Sequence, residues 1–417
     1  MTTDAPATAP TAVVDIGLRR LALPRGIAFA GTSFAFAGLY LAAGAPTPIL
    51  FLLQQHWGFP AWALTVAFAT YAFALIASLL VVGKLSDHVG RRPVIAVALA
   101  VQVVAMIAFV FAPNIGWVIG ARALQGIATG AATSAFTASV VELAPERFKR
   151  LGSIIVGTAA ASGLGLGALF AGIVVQWSTD ADAIVFTVLA IVAVLGLVIA
   201  LLSPETSSPQ SGALSALVPR VAVPRQARRE FAAAAPGIVG AWMFASLFMG
   251  LGPTIVADVF HIDSGAVDGV TAFAAPAAAA ITGFLLGGLT ARRTVLIGGV
   301  AVLVGTAVII GGIWGGSLPL FVGGGIIGGV GFGASFSGAL RAMAPLAQPH
   351  ERAGLFAAIY VAAYLAFGLP AIIGGLLIAP LGLLGTSIAY AVVIFAVAAV
   401  GTVAEATMAR RERAVLG

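Results

Sequence analysis

The stretch Gly83-Lys84-Leu85-Ser86-Asp87-His88-Val89-Gly90-Arg91-Arg92-Pro93 decides how this chain is read. Apolar runs flank it, 61–82 before and 93–112 after. Each is as long as the ~20 residues a helix needs to cross a bilayer. The loop holds Lys84, Arg91 and Arg92 around a single anion, Asp87. Gly83 and Gly90 supply the backbone freedom of a tight turn. Charge confined to a short turn between two membrane-length runs marks a multispanning chain.

Composition agrees. The chain is 60% hydrophobic and 9% charged, against roughly 25% charged residues in a soluble domain. There is no cysteine, which excludes disulfides, thiolate metal sites and cysteine nucleophiles. The net charge of +6 sits at membrane boundaries, as retention on the cytoplasmic face would place it, so no nucleic-acid partner is expected. The first 25 residues hold no apolar core ahead of a cleavage site, so they read as a disordered cytoplasmic lead with Arg19, Arg20 and Arg25 and not as a signal peptide.

Outward from the loop, twelve candidate spans follow: 27–52, 61–82, 93–112, 115–143, 151–176, 183–203, 231–257, 267–290, 294–314, 317–343, 353–379 and 383–405. With the N-terminus inside, the inner loops hold Arg147, Lys149, Arg150, Arg220, Arg225, Arg228, Arg229, Arg292, Arg293, Arg341 and Arg352 besides the cations of the first loop, and the tail adds Arg410, Arg411 and Arg413. The outer side holds Asp180, Asp182, Asp258, Asp263 and Asp268 and no cation. This is the positive-inside pattern, and Trp57, Trp62, Trp117, Trp177 and Trp314 fall near outer ends as an interfacial belt. The expected divisions are a segment 1–26, six spans over 27–203, a Pro- and Arg-rich linker 204–229, six spans over 230–406 and a cytoplasmic tail 407–417.

The halves align at a fixed offset. Pro48 pairs with Pro253, Gly83 with Gly288, Gly126 with Gly331, Gly163 with Gly368, and Glu146-Arg147 with Glu351-Arg352. Parallel six-helix repeats place a substrate site at their interface near mid-membrane.

The chain resembles the major facilitator superfamily, in particular its twelve-helix drug exporters. The loop 83–92 fits the superfamily's signature between helices 2 and 3, Gly-x-Leu-x-Asp-x-x-Gly-Arg-Arg. Arg122, Gln125, Gly126 and Gly130 resemble its helix 4 signature. The resemblance implies an all-α membrane fold of twelve helices in two six-helix bundles. It implies a conformational latch made of Gly83, Asp87, Gly90, Arg91, Arg92 and Glu142. In that latch Asp87 docks at the N-terminus of helix 11 and forms a charge relay with Arg91 and Glu142, and the helix dipole favours such docking. The second-half copy keeps Gly288, Arg292 and Arg293 but has no aspartate, so the latch is expected to be asymmetric.

Arg122 is the one cation inside a span. Insertion of an arginine costs roughly 2.5–3.5 kcal/mol, and such residues usually face a wet cavity; the bland alternative is that it snorkels to the outer interface. Arg122 and Gln125 are therefore expected in a coupling or substrate cavity. Taking spans 1, 4, 7 and 10 as its walls adds Phe36, Tyr40, Trp242, Phe244, Phe248, Phe332 and Phe336; Tyr360 and Tyr364 on span 11 share a helix face. Packing against lipid or a neighbouring helix is the competing reading of each aromatic. Pro46 and Pro48, with Gly252 and Pro253 at the repeat offset, are expected to break spans 1 and 7 as an outer gate.

No acid lies in the middle of a span, and span 1 lacks the acid of many proton-driven exporters. Span 5 keeps the glycines of antiporters (Gly157, Gly163, Gly165, Gly167, Gly172) without their Gly-Pro pair, so close helix packing explains them as well. The expected function is secondary active transport by alternating access, as proton-coupled efflux of lipophilic neutral or anionic compounds. A proton-coupled importer of sugars or organic acids is the alternative. His56, His88, His261 and His350 are scattered, so neither an enzyme nor a metal site is expected, and no phosphate-binding loop indicates a nucleotide-driven pump. A monomer in the plasma (inner) membrane with both termini cytoplasmic is expected, with a proton gradient and no cofactor.

Overall fold

A computed structural model describes residues 23–208, 210–348 and 351–416, with side chains as far as Arg411. Arg19, Arg20, Pro209, His350 and the side chain of Arg413 lie outside the described residues. Helices in chain order are α1 (Arg25–Gly44), α2 (Pro46–Trp57), α3 (Ala61–Val82), α4 (Ser86–Val89), α5 (Arg91–Val110), α6 (Ile115–Leu143), α7 (Lys149–Trp177), α8 (Ala181–Leu202), α9 (Ala213–Ala216), α10 (Arg228–Asp258), α11 (Gly265–Leu285), α12 (Ala291–Trp314), α13 (Leu318–Met343) and α14 (Arg352–Leu416). No strand occurs among the described residues, as lipid requires of an open chain whose backbone groups must bond internally.

Among the described residues, 10 helices are long and apolar enough to cross a bilayer. One is a run of 60 residues, Arg352–Arg411, which non-helical Gly382 divides into two legs. α6 is long enough at 29 residues, but Arg122, Gln125 and its threonines and serines lower its hydropathy. With α6 added and the long run counted as two, twelve crossings result. Two boundaries differ from expectation. α10 begins at Arg228 inside the expected linker, and the expected tail 407–417 continues as helix to Leu416.

All loops rich in arginine lie on one side of this array, the basic side; the acidic side holds the exposed Trp57, Trp62, Trp117, Trp177 and Trp314. Asp268 is an exception among the acids: it sits in the first turn of α11 and is only 5% exposed. In the first half α1 packs on α6, α7 and α8, and α3 and α5 pack on α6. In the second, α10 packs on α13 and α14, and α12 on both. The halves meet along two seams, α7 with α11 and α3 with the first leg of α14.

Both seams are shut on the acidic side. A Cβ on Gly172 of α7 would lie 2.4 Å from the Gly265 carbonyl and 2.6 Å from Cα of Gly269 on α11, so bare backbones touch. Ser264 Oγ donates to Gln176 Oε1 across the same seam at 2.8 Å. On the other seam a Cβ on Gly375 would lie 2.0 Å from Thr65 Oγ1. Toward the basic side a cavity opens between the halves.

The expected pair of breaks is unequal. Pro46 and Pro48 end α1 and start α2, although Ala45 between them keeps helical dihedrals (φ −57°, ψ −34°). α10 runs unbroken through Gly252 and Pro253. One proline removes one hydrogen bond from a long buried helix; two within three residues remove consecutive support.

Candidate functional site

The cavity has a volume of about 480 Å³ and reaches from Arg122 to Leu340 and Arg341 at the basic end of α13. Of the expected residues it is bordered by Phe36, Tyr40, Arg122, Trp242, Phe332, Phe336, Tyr360 and Tyr364. Trp242 is the centre of an aromatic cluster, with ring centroids 4.8 Å from Tyr364, 5.2 Å from Phe332 and from Phe336, and 5.9 Å from Phe367. Such pairs contribute about 0.5–1.5 kcal/mol each beyond burial, which holds the second half's wall in place.

Phe244 and Phe248 are not cavity residues. Trp242, Ala245 and Met249 follow one helix face to the cavity; Phe244 and Phe248 lie on another and are fully buried. Their rings fill the holes left by Gly328 and Gly325 on α13, where a Cβ would lie 2.0 and 2.4 Å from ring carbons. Gln125 is also fully buried behind the wall. The assumed four-span lining omitted Phe68 and Tyr71 on α3 and Phe367 on α14, and Arg341 at the basic end of α13, read from the sequence as an inner-loop cation, borders the cavity too. One signal was present in the sequence: Tyr360, Tyr364 and Phe367 continue a single helical stripe.

Arg122 is 2% exposed and does not snorkel. Its Nε donates to the Ala67 carbonyl at 3.3 Å, Nη2 to the Phe68 carbonyl at 3.5 Å and Nη1 to the Ala43 carbonyl at 3.3 Å, with a short bond to Gln125 Oε1. The guanidinium carbon lies 4.4 Å from the centre of the Tyr71 ring, a desolvated cation–π contact. Gln125 Nε2 donates to the Ala42 carbonyl at 2.7 Å. That carbonyl is the one whose helical donor, the residue four positions on, is Pro46. The pair therefore repairs the damage the prolines do and ties α6 to α1 and α3. Tyr40 and Thr133 hydroxyls share a hydrogen bond of 3.1 Å on the same wall.

On the basic side, Arg91 bonds Asp87, Ser86 Oγ at 2.9 Å and, through Nη2, Glu142 Oε1 at 3.4 Å. Gly90 needs its glycine, with φ +102°; Gly83 stays in the right-handed helical region (φ −55°), so the sharp turn is made at Gly90 alone. Arg92 contributes its backbone N–H. No hydrogen bond or ion pair among the described residues joins Asp87 to α14. The start of α14 is held by the linker instead: Ala222 N donates to the Gly354 carbonyl at 3.2 Å and Gln226 Nε2 to Glu351 Oε2 at 2.6 Å. With the two halves apart on this side, the expected docking of Asp87 on helix 11 is not made.

Sequence reasoning missed Glu205, which directly follows span 6 in Pro204-Glu205-Thr206. Its carboxylate accepts from the backbone N–H of Arg91 at 2.8 Å and of Arg92 at 3.0 Å, capping α5. Thr206 Oγ1 donates to Glu142 Oε2 at 2.5 Å, closing a ring around the loop. Loss of a cap costs about 0.5–2 kcal/mol, and an anion at a helix N-terminus adds roughly 0.3–1 kcal/mol. Glu205→Ala is therefore expected to lower the thermal unfolding midpoint in detergent, and Glu205→Gln to lower it less. An unchanged midpoint in Glu205→Ala would remove Glu205 from the loop's support.

In the second half the acid missing near Arg292 comes from other helix ends. Arg292 Nη2 donates to Glu230 Oε2 at 3.0 Å and Nη1 to Glu405 Oε2 at 3.4 Å. These bonds link α12 to the start of α10 and the second leg of α14, all in the second bundle.

Known proteins bear on this arrangement. The fold matches a bacterial homologue of the human lysosomal transporter Spinster in an inward-facing, unoccupied conformation (TM-score 0.74, 13% identity, 93% of this chain and 98% of that one). It also matches a POT family transporter in complex with 5-aminolevulinic acid (TM-score 0.69, 15% identity, 93% and 96%). A third match is the human organic anion transporter MFSD10 (TETRAN; TM-score 0.60, 15% identity, 91% and 100%). No curated protein matches by sequence. The family model described as Major Facilitator Superfamily matches residues 32–310, so with twelve crossings, two bundles and a cavity between them, the chain belongs to the major facilitator superfamily of membrane transporters and is not an enzyme.

Proposed function

We propose that this transporter exports lipophilic neutral or anionic small molecules from the cytoplasm by alternating access, driven by a proton gradient. The basic side is the cytoplasmic side by the positive-inside bias, which puts both termini in the cytoplasm of a cell-membrane protein acting as a monomer. The observation that carries the substrate class is the cavity wall. It presents aromatic rings with the cations Arg122 and Arg341, and no carboxylate among its described lining residues. In a site of low dielectric a fixed cation repels organic cations and attracts anions. The open basic side is then an inward-facing state with the Asp87–Arg91–Glu142 latch released from helix 11.

Proteoliposomes with an imposed pH gradient test this. Acid-driven countertransport of an amphipathic carboxylate or a neutral dye, and weaker transport of a cation of the same shape, are expected. Substrate moving together with protons would establish the importer instead, and a preference for the cation would discard the reading of the cavity charge.

A further inference from the structure

Phenylalanine outnumbers tyrosine 25 to 5 in this chain, yet Tyr40, Tyr71, Tyr360 and Tyr364 all border one cavity. A wall that needed only rings could be built from phenylalanine, so the hydroxyls are the informative part. Most polar groups of the wall are already spent on the protein itself. The donors of Arg122 go to carbonyls and to Gln125. Arg341 Nη1 donates to the Gly287 and Leu289 carbonyls at 3.0 and 3.1 Å, and Nη2 to Thr294 Oγ1 at 2.7 Å. Ser337 and Thr137 donate to carbonyls of their own helices. Thr133 Oγ1 donates to the Thr129 carbonyl at 2.6 Å, so in its bond with Tyr40 the phenol is the donor. The Tyr71 hydroxyl turns to Thr129.

Three donors remain, and they share one corner. The hydroxyls of Tyr360 and Tyr364 make no hydrogen bond among the described residues. Trp242 is 8% exposed, and its Nε1–H is buried with no partner among the described residues. The Trp242 and Tyr364 rings lie 4.8 Å apart, and those of Tyr364 and Tyr360 6.3 Å apart and 23° from parallel. A buried donor without an acceptor is costly and calls for an explanation. Tyr71 packs on Tyr364 from the first half, and the Arg122 guanidinium lies over the Tyr71 ring. A fixed positive charge therefore stands one ring behind the corner.

We propose that Trp242, Tyr360 and Tyr364 are specificity-determining donors that bind the acceptor oxygen of a lipophilic aromatic substrate, carboxylate or carbonyl alike, while Phe332 and Phe336 hold its ring body. The purpose of the corner rests on the transport reading above, and it names the polar group that reading leaves open. An indole N–H can only donate, which selects an acceptor. Because all three donors are uncharged, they serve a neutral carbonyl as well as an anion. The charge behind Tyr71 adds attraction for the carboxylate only.

Equilibrium dialysis of the full chain in lipid nanodiscs, with protein-free nanodiscs subtracted, tests this with three tritiated probes. They are 2-naphthoate, its uncharged methyl ester, and 2-ethylnaphthalene, which has a similar shape and no acceptor. Naphthoate and the ester should bind, and ethylnaphthalene should bind more weakly. Tyr360→Phe with Tyr364→Phe keeps both rings. It should weaken the ester about two- to tenfold per hydroxyl lost and naphthoate about tenfold or more, with ethylnaphthalene unchanged. Trp242→Phe should weaken the ester and naphthoate more than ethylnaphthalene. Unchanged affinities in the double tyrosine variant would overturn the proposal. Equal weakening of all three probes in both variants would make these residues wall alone and overturn it too, as would an unmodified protein that binds neither naphthoate nor the ester. If the unmodified protein instead binds 2-naphthylmethylammonium more tightly than naphthoate, the reading of the cavity charge is sunk. The comparison of the uncharged ester with ethylnaphthalene still decides the corner.

Discussion

Gly172→Val is expected to hold the bundles apart on the acidic side and to lower transport by about tenfold or more. Gly172 lies against the backbone of Gly265 and Gly269, and a side chain there would collide with atoms that cannot swing aside. Overpacking of this kind costs about 1–3 kcal/mol. Here the strain exists only while the seam is shut, so it acts as a bias between two states. A bias of 1–3 kcal/mol changes a population ratio roughly 5- to 150-fold. The acidic side should therefore stay open for most of the time, and a carrier that cannot leave one state cannot turn over. Met249→Cys reports this directly, because Met249 borders the cavity and is 4% exposed. A membrane-impermeant maleimide added on the acidic side should modify it much faster in the Gly172→Val background. Gly167→Val is the control. Its Cβ would lie 1.9 Å from the Leu41 carbonyl of α1, within the same bundle, so it should lower thermal stability in both states without favouring either. Equal labelling rates with and without Gly172→Val would remove the seam from the gating.

That contrast shows what was legible in the sequence. Membrane-length runs and one-sided arginines placed every crossing, because the bilayer rewards composition and not detailed packing. Gly157 and Gly172, however, are identical as letters on one helix face, and only the angle between bundles makes one a backbone contact and the other a gap. Trp242 stood out as the tryptophan away from the interfacial belt, and it does border the cavity. Phe244 and Phe248 sit about 200° and 240° around the helix from it, so 3.6-residue periodicity alone would have set them on another face; what the sequence hid is that holes at Gly328 and Gly325 on a different helix receive their rings. Glu205 was hidden for another reason: a lone acid in a proline-rich linker has no pattern, and its partners are backbone N–H groups more than a hundred residues earlier in the chain. Arg122 was singled out as a costly charge in a span, yet the reason it is tolerated, carbonyls of α1 and α3, lay in segments that composition marks only as apolar.

Arg122 supports the second large prediction: Arg122→Lys should lose transport almost as fully as Arg122→Ala. If the residue served only as a positive charge facing the cavity, lysine would replace it. The geometry asks for more. One planar guanidinium reaches Ala43 on α1, Ala67 and Phe68 on α3, and Gln125 on its own helix. An ammonium is a point donor that cannot span these directions at once. Gln125, released from Arg122, then holds the Ala42 carbonyl less firmly, and an unsatisfied buried carbonyl costs about 1–3 kcal/mol. Because the affected carbonyls flank the Pro46–Pro48 weak point, the strain falls on the joint between α1 and α2. Transport in proteoliposomes should drop by about tenfold or more for each 1.4 kcal/mol lost from the working geometry. Gln125→Leu should share much of that defect. The double variant Arg122→Lys with Gln125→Leu should be little worse than either alone, since residues of one hydrogen-bond network are not additive. Full activity in Arg122→Lys would reduce Arg122 to its charge; additive losses in the double variant would show that Arg122 and Gln125 support α1 independently.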